Sequence, residues 1–344
     1  MSAPDRFQAL GLHFPYFVAP MVGISHVAFR ELVRHYTPKA LEPRLFTEMI
    51  SSKRLPHEQI EDTLRTSVGE DGLIPQLLCN EEDHIQKSLR KLVPVSPWGV
   101  DINMGCPVTQ TLKHNWGVQL MHDKDRAARV VGFAKKHCTR PVSVKLRAAL
   151  GRTFDEKYLL DFTRALENAG ADWLTIHCRT QEQGHHGYAR WDMVEEVARE
   201  RRIPIVANGD VHTWEDALRL RQTHHVDGVM IARAATARPW ILWQIGYHLG
   251  IAGIPKPPLT PEEEGAEYFA SLLRLSCLLE EYYGETPEAV KRMVFYLAIS
   301  HRWLLFGHDF MTRVRRLPTL WQMRDFINDY RDRSPQPLVT HARV

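Results

Sequence analysis

Between residues 16 and 250 the hydrophobic pattern switches repeatedly between two kinds of segment. Short, near-continuous apolar runs recur: YFVAP (16–20), RLFTE (44–48), IPQLL (74–78), GVDIN (99–103), VSVKLR (142–147), WLTIH (173–177), IPIVAN (203–208) and DGVMIA (227–232). Runs of this type suit parallel strands covered on both faces. Segments with helical periodicity lie between them, among them EDHIQKSLRKLV, DRAARVVGFAKKH, DEKYLLDFTRALENAG and TWEDALRLRQTH. Gly170 suits the C-terminal end of the third, and Thr213 suits the N-cap of the fourth. Eight strands alternating with helices predict an α/β fold of the (β/α)8 TIM-barrel type. A doubly wound open sheet is the rival, but APMVGIS follows the first strand where that fold would place GxGxxG.

Beyond Gly253 the texture changes. IPKPPLTPEEEG is proline-rich and turn-prone, and after it AEYFASLLRLSCLLEEYYG, PEAVKRMVFYLAISHRWLLFG and LPTLWQMRDFINDYRDR read only as helices. The expected organisation is a barrel over 1–250, a linker over 251–260 and a C-terminal helical bundle of three to four helices over 261–344. Charge in the last part is polarised. Residues 255–290 carry two basic groups against eight glutamates, net −6, and residues 291–344 carry ten against four aspartates, net +6. The basic half holds Arg313, Arg315 and Arg316 in an RVRR run, with Trp303 and Trp321 in the same half. Such a patch can track phosphates. The bland alternative is a solvated helix face over core tryptophans.

Composition narrows the class. At 344 residues, 44% apolar and 25% charged, the chain reads as a soluble globular protein. No apolar run approaches the ~18 residues of a membrane span, and MSAPDRFQAL lacks a signal-peptide pattern. The cytoplasm is the expected compartment. Five scattered cysteines, an odd number with no CxxC, predict reduced thiols. No metal is expected, since the histidine pairs His185-His186 and His224-His225 are adjacent and poorly spaced for one ion. A net charge of +3 neither requires nor excludes nucleic acid.

In a barrel the chemistry gathers where strands end. The first strand ends at Pro20-Met21-Val22, the third carries Gln76, and the fourth runs through Asn103 into Met-Gly-Cys-Pro with Cys106 in the turn. Lys145 and Arg147 lie in the fifth strand, His177-Cys178-Arg179-Thr180 ends the sixth, Asn208-Gly209-Asp210 the seventh and Ala232-Arg233-Ala234 the eighth. Lys145 pointing into a barrel mouth needs an anionic partner. The last two loops lie where barrels commonly hold a phosphate on backbone amides. A histidine such as His177 at a strand end is more often structural than catalytic. Cys106 poses the sharpest question, because no second cysteine stands near enough for a metal site. Something at this strand end needs one aimed sulfur.

The set APM, FTEM, PQLL, DINMGCP, GVQLM, PVSVKLR, TIHCRTQEQG, ANGD and GVMIARAA, in that order, resembles the tRNA-dihydrouridine synthases, flavin enzymes that reduce the C5–C6 bond of specific uridines. The resemblance covers residues 16 to about 245, and NxGCP followed by GxxL is its most specific part. It implies an FMN-binding barrel, NADPH as reductant, tRNA as partner and Cys106 as the proton donor to uracil C5. Pro20, Met21, Val22, Gln76, Lys145 and His177 would contact the flavin ring and ribityl chain. Asn208, Gly209, Asp210, Ala232 and Arg233 would hold its phosphate end. Asn103 and Arg179 would face the uracil; from the charge pattern, and not from the resemblance, Arg313, Arg315 and Arg316 are expected to meet RNA phosphates. A thiol with an ordinary pKa of ~8.5 stays protonated at neutral pH yet close enough to donate. The chain departs from the family pattern at Cys178 for glycine, at Ala232 and Ala234 for glycines, at Val22, and at His114-Asn115-Trp116. The alternatives are an FMN barrel reducing a small molecule, a synthase acting on rRNA, a silent RNA-binding barrel and a metal-dependent hydrolase. A monomer is expected.

Overall fold

The computed structural model describes residues 6–60, 64, 70–108, 113–184, 186–333 and 337–339. Eight parallel strands close into a barrel in sequence order. They are β1 (Tyr16–Val18), β2 (Leu45–Ser51), β3 (Leu73–Leu78), β4 (Val100–Met104), β5 (Val142–Ala149), β6 (Trp173–Thr180), β7 (Ile205–Asn208) and β8 (Gly228–Ile231). The Val229 N–H, donating to Pro15 O at 3.0 Å, brings β8 back beside the start of β1. Each predicted strand is present, with two informative extensions. β5 and β6 stay paired as far as Ala149 and Thr180, so Cys178, Arg179 and Thr180 lie in a strand rather than in a loop.

The helices start and stop where side chains can satisfy their free backbone groups. Asp123 and Asp155 accept from the N–H of Arg126 and Tyr158 at the starts of helices Lys124–His137 and Glu156–Asn168. Gly170, at φ +98°, turns the chain out of the second of these. Thr213 and Asp216 cap helix Trp214–Thr223 reciprocally, each backbone N–H donating to the other's side chain at 3.3 Å.

The barrel interior is layered. Phe7, Phe17, Phe46 and Trp173 fill the end at which the strands begin, with Phe17 and Trp173 stacked at 6.5 Å. Two residues further along, polar side chains take over. A period of two puts Asp101 with Asn103, and Ser143 with Lys145 and Arg147, on a common face. Register lines up Gln76, Asp101 and Ser143 across β3, β4 and β5, then Asn103 beside Lys145 one step higher. An apolar floor under a polar mouth confines the chemistry to one end.

By density of contacts the chain forms two compact units: residues 1–20, 44–210 and 218–230, and residues 21–43, 211–217 and 231–344. The second contains helices Pro261–Tyr283, Pro287–Ser300, Gly307–Val314 and Leu320–Arg333, with helix Val27–Tyr36 packed on the first of them. The first opens with a full capping box between Thr260 and Glu263, which the TPEE sequence encodes. Its core holds Tyr268, Phe269, Tyr296 and Phe310. Trp303 is buried there too, whereas Trp321 is half exposed, so only the latter is on the surface. Within this unit the buried Arg238 guanidinium donates two parallel 2.8 Å bonds to Glu264. No helix among the described residues is long and apolar enough to cross a membrane.

Candidate active site

Cys106 follows β4 and is half-buried in a turn clamped from both sides. Asn103 Oδ1 accepts from the N–H groups of Gly105 (3.1 Å) and Cys106 (2.9 Å). On the other side Cys106 O accepts from Val118 N–H at 3.1 Å. Gly117 makes that closure feasible, at φ +58° with its α-carbon so near that a Cβ would stand 2.5 Å from Cys106 O. The GxxL part of the motif therefore packs directly against the thiol turn.

Beneath the turn lies a polar network. Asn103 Nδ2 donates to Gln76 Oε1 at 2.9 Å, and Gln76 Nε2 donates to Asp101 Oδ2 at 2.6 Å. Ser143 Oγ donates to Asp101 Oδ1 at 2.5 Å. Burial pushes the Asp101 carboxyl up to about 6, against the lowering effect of these two donors.

Lys145 is half-buried beside Asn103 and donates to Asn208 Oδ1 at 3.2 Å. Burial and the neighbouring Arg147 bring its ammonium down to about 8. It forms no ion pair among the described residues, so the cation stands at the mouth with an amide oxygen as its partner. Asn208 is itself fixed, its Nδ2 donating to Met230 O at 2.7 Å. His177 is half-buried and pairs in register with Asn208, and Gly209 lies so close that a Cβ would meet His177 Cδ2 at 3.1 Å and Ala189 Cβ at 2.9 Å.

Two arginines tie the loops together. Arg147 donates to Gly105 O (3.0 Å), Thr180 O (3.0 Å) and Gly184 O (2.9 Å), joining the loop after β4 to that after β6. Arg179, which sequence resemblance would turn toward uracil, is buried. Its Nη2 donates to both Asp210 oxygens at 2.7 Å and to Gly187 O at 2.6 Å. Asp210 in turn accepts from Ala189 N–H at 2.6 Å, so its carboxylate is engaged within the loop. β6 runs three residues beyond its apolar run, to Thr180, and so carries Arg179 into the wall.

In the second unit, Met21 N–H donates to Ser25 Oγ (2.9 Å), Met21 is half-buried and Val22 is exposed. Ala232 and Arg233 are half-buried and lead into the short helix Ala234–Ala237. Cys178, the departure from glycine, is fully buried and its thiol is pushed up to about 12 by burial, which leaves it a packing group. Arg313, Arg315 and Arg316 are all exposed, but Arg313 pairs with Asp309 at 3.6 Å and lies over Phe326 at 5.1 Å.

A family model described as dihydrouridine synthase matches residues 17–300. The chain belongs to the dihydrouridine synthase family. A probable tRNA-dihydrouridine synthase 1 of Synechocystis is 32% identical over 304 residues, covering 86% of this chain and 81% of that protein. The tRNA-dihydrouridine synthase B of Xanthomonas campestris is 28% identical over 327 residues, 92% of each. Among solved structures, histamine dehydrogenase from Rhizobium sp. 4-9 superposes with a TM-score of 0.52 at 12% identity, over 78% of this chain and 50% of that one. A 2-naphthoyl-CoA reductase complex gives 0.51 at 9%, over 68% and 50%. The chain thus spans half the length of each of these two, and the likeness is one of fold. As a dihydrouridine synthase the protein is a flavin-dependent oxidoreductase built on a TIM barrel.

Within this family frame, sequence reading named Cys106, Asn103, Gln76 and Lys145 but passed over Asp101 and Ser143. Their signal was available as an acid and a hydroxyl two positions before Asn103 and Lys145, on the same face of strands VDIN and VSVK.

Proposed function

We propose that the protein reduces the C5–C6 bond of a uridine in tRNA, with FMN as its resident cofactor, NADPH as reductant and Cys106 as the proton donor to C5. The observation that carries this reading is the clamped Cys106 turn at the end of β4, beside a lysine whose hydrogen bond goes to Asn208 and which forms no ion pair among the described residues.

That lysine is also the test of fit for a flavin. A half-buried ammonium whose hydrogen bond goes to an amide oxygen favours an anionic or strongly polar ligand at the mouth. FMN offers such a group at its N1–C2=O edge. Gln76, His177 and Asn208 line the same end, and the close approach of Gly209 to His177 keeps the backbone low there. Asp210 and Arg179 act as a tie that shapes this loop. Pro20, Met21, Val22, Ala232 and Arg233 are proposed for the cofactor on their motifs.

A reduced flavin held there by Lys145, Gln76, His177 and Asn208 would supply the hydride for uracil C6. The Cys106 thiol gives its proton to C5 and takes one back from solvent. Asn103, whose oxygen accepts from the Gly105 and Cys106 N–H groups, would keep the sulfur in place at the side where the base is proposed to enter. A uridine has to leave its stack to enter such a mouth. Cys106→Ala should keep its flavin and lose uridine reduction by about 10²–10⁴-fold, the usual worth of a positioned proton donor. Wild-type turnover by that variant would sink the assignment.

A further inference from the structure

We propose that Asp101 is a positioning residue for Cys106: its carboxylate sets the direction of the two buried amides Gln76 and Asn103, and through them holds the thiol turn. The argument starts from what each group is able to do. An ionised carboxylate only accepts, and a backbone N–H only donates. With Ser143 Oγ on one Asp101 oxygen, the other takes Gln76 Nε2 at 2.6 Å. The Gln76 amide is thereby turned so that its oxygen faces Asn103 Nδ2, 2.9 Å away. Asn103 must then present its own oxygen outward, where Gly105 and Cys106 N–H groups meet it. One acceptor at the base fixes both amides in the only sense that lets the turn close.

Burial gives this relay its force. Asp101 and Ser143 are wholly inaccessible, Gln76 is 1% exposed and Asn103 7%. An amide reversed inside such a network would set donor against donor with no water to compensate. The register of β3, β4 and β5 places Gln76, Asp101 and Ser143 side by side, so the relay follows from strand pairing and not from a flexible loop. Keeping a carboxylate charged there works against the fold, as its upward pKa shift by burial shows. A group held at that expense, two amides from the reacting thiol, is accounted for by orientation.

The inference rests on reading Cys106 as the proton donor, and the test separates the two. Iodoacetamide alkylation of the Cys106 peptide, followed by mass spectrometry on FMN-loaded protein, reports thiol placement without RNA. Uridine reduction, flavin content and the melting temperature are measured beside it. In Asp101→Asn the Ser143 hydroxyl can rotate to accept from the new amide, so the direction survives, and both rates should stay within about three-fold of wild type. Asp101→Asn/Ser143→Ala removes that anchor and frees the amides to reverse. Uridine reduction should fall about 10²-fold, as for a reacting group displaced by ~1 Å. Cys106 alkylation should change at least ten-fold while flavin reduction by NADPH stays unchanged. Wild-type alkylation in the double variant, or a single Asp101→Asn as impaired as the double, overturns the proposal. Should the double variant fail to fold, Asp101→Asn/Gln76→Glu decides, its alkylation measured on the apoprotein against wild-type apoprotein because Gln76 also lines the cofactor end. It moves the carboxylate one place along with every donor and acceptor still satisfied, so wild-type alkylation supports the relay and altered alkylation refutes it. If the donor assignment alone is wrong, Cys106→Ala keeps its turnover while alkylation still follows the relay.

Discussion

Lys145 and Gly117 show how far single residues answer to local physics. Lys145 titrates near 8, lowered by burial and by Arg147, with Asp101, Cys178 and Cys106 pulling the other way. Because its folded value lies below the ordinary ~10.4, the folded state binds fewer protons between those limits, and stability from this group rises with pH across that window. Cofactor binding has the opposite sign, since an anionic edge prefers the charged lysine. FMN affinity of the apoprotein should weaken by up to about ten-fold per pH unit above 8, and Lys145→Met should bind weakly with no such slope. Fluorescence titration between pH 7 and 9.5 checks this, and a slope persisting in the methionine variant would count against it. Gly117 carries a different constraint. An alanine there meets both a left-handed φ, which costs about 1 kcal/mol, and the Cys106 carbonyl at 2.5 Å. Gly117→Ala should lower the melting temperature and cut uridine reduction at least ten-fold, while flavin content is kept.

At the scale of elements, arginines do what the loops cannot do for themselves. Arg147 and Arg179 join the loops after β4, β6 and β7 through backbone carbonyls and Asp210. Only the folded chain brings these partners together, so neither VSVKLR nor HCRT in isolation shows what its arginine holds. The eight strands and their order, by contrast, were plain from apolar runs, and one helix start from Thr213; the caps at Asp123, Asp155 and Thr260 came with the structure. In the second unit the Arg238–Glu264 pair is the corresponding fixture, with Gln244 Nε2 also donating to Glu264 at 2.8 Å. Removing one partner leaves a buried charge unmatched, at about 3–5 kcal/mol. Glu264→Ala should therefore show a large fall in melting temperature, and a shift within a degree of wild type would mean the pair is solvated.

For the molecule as a whole, the open matter is how a large anionic partner is held. Acid and base are segregated along the C-terminal part, and the RVRR run is exposed. The pairing of Arg313 with Asp309 and its ring contacts leave Arg315 and Arg316 as the freer cations of the three. If they meet RNA phosphates, the double alanine variant should reduce the log–log salt dependence of tRNA binding by about 1.4–1.8, at ~0.7–0.9 per contact. Affinity should fall alike for tRNAs of different sequence, because phosphate contacts position without reading bases. Filter binding across a salt series measures this, and an unaltered slope would exclude the run from the interface.

The linear chain determined the alternation of strand and helix, the closure order that alternation implies, and the motif residues at strand ends. Those are properties of local hydrophobic period and of turn chemistry, both written within a few neighbouring residues. Tertiary structure decided what the polar residues inside the strands do. Asp101, Ser143, Gln76 and Asn103 are separated by up to 67 positions, yet register sets them in one hydrogen-bonded file beneath Cys106. It also decided that Arg179 serves the wall of the barrel, since the extra pairs between β5 and β6 exist only once both strands are side by side. Pairing across strands depends on which residue faces which, and no stretch of sequence contains both partners.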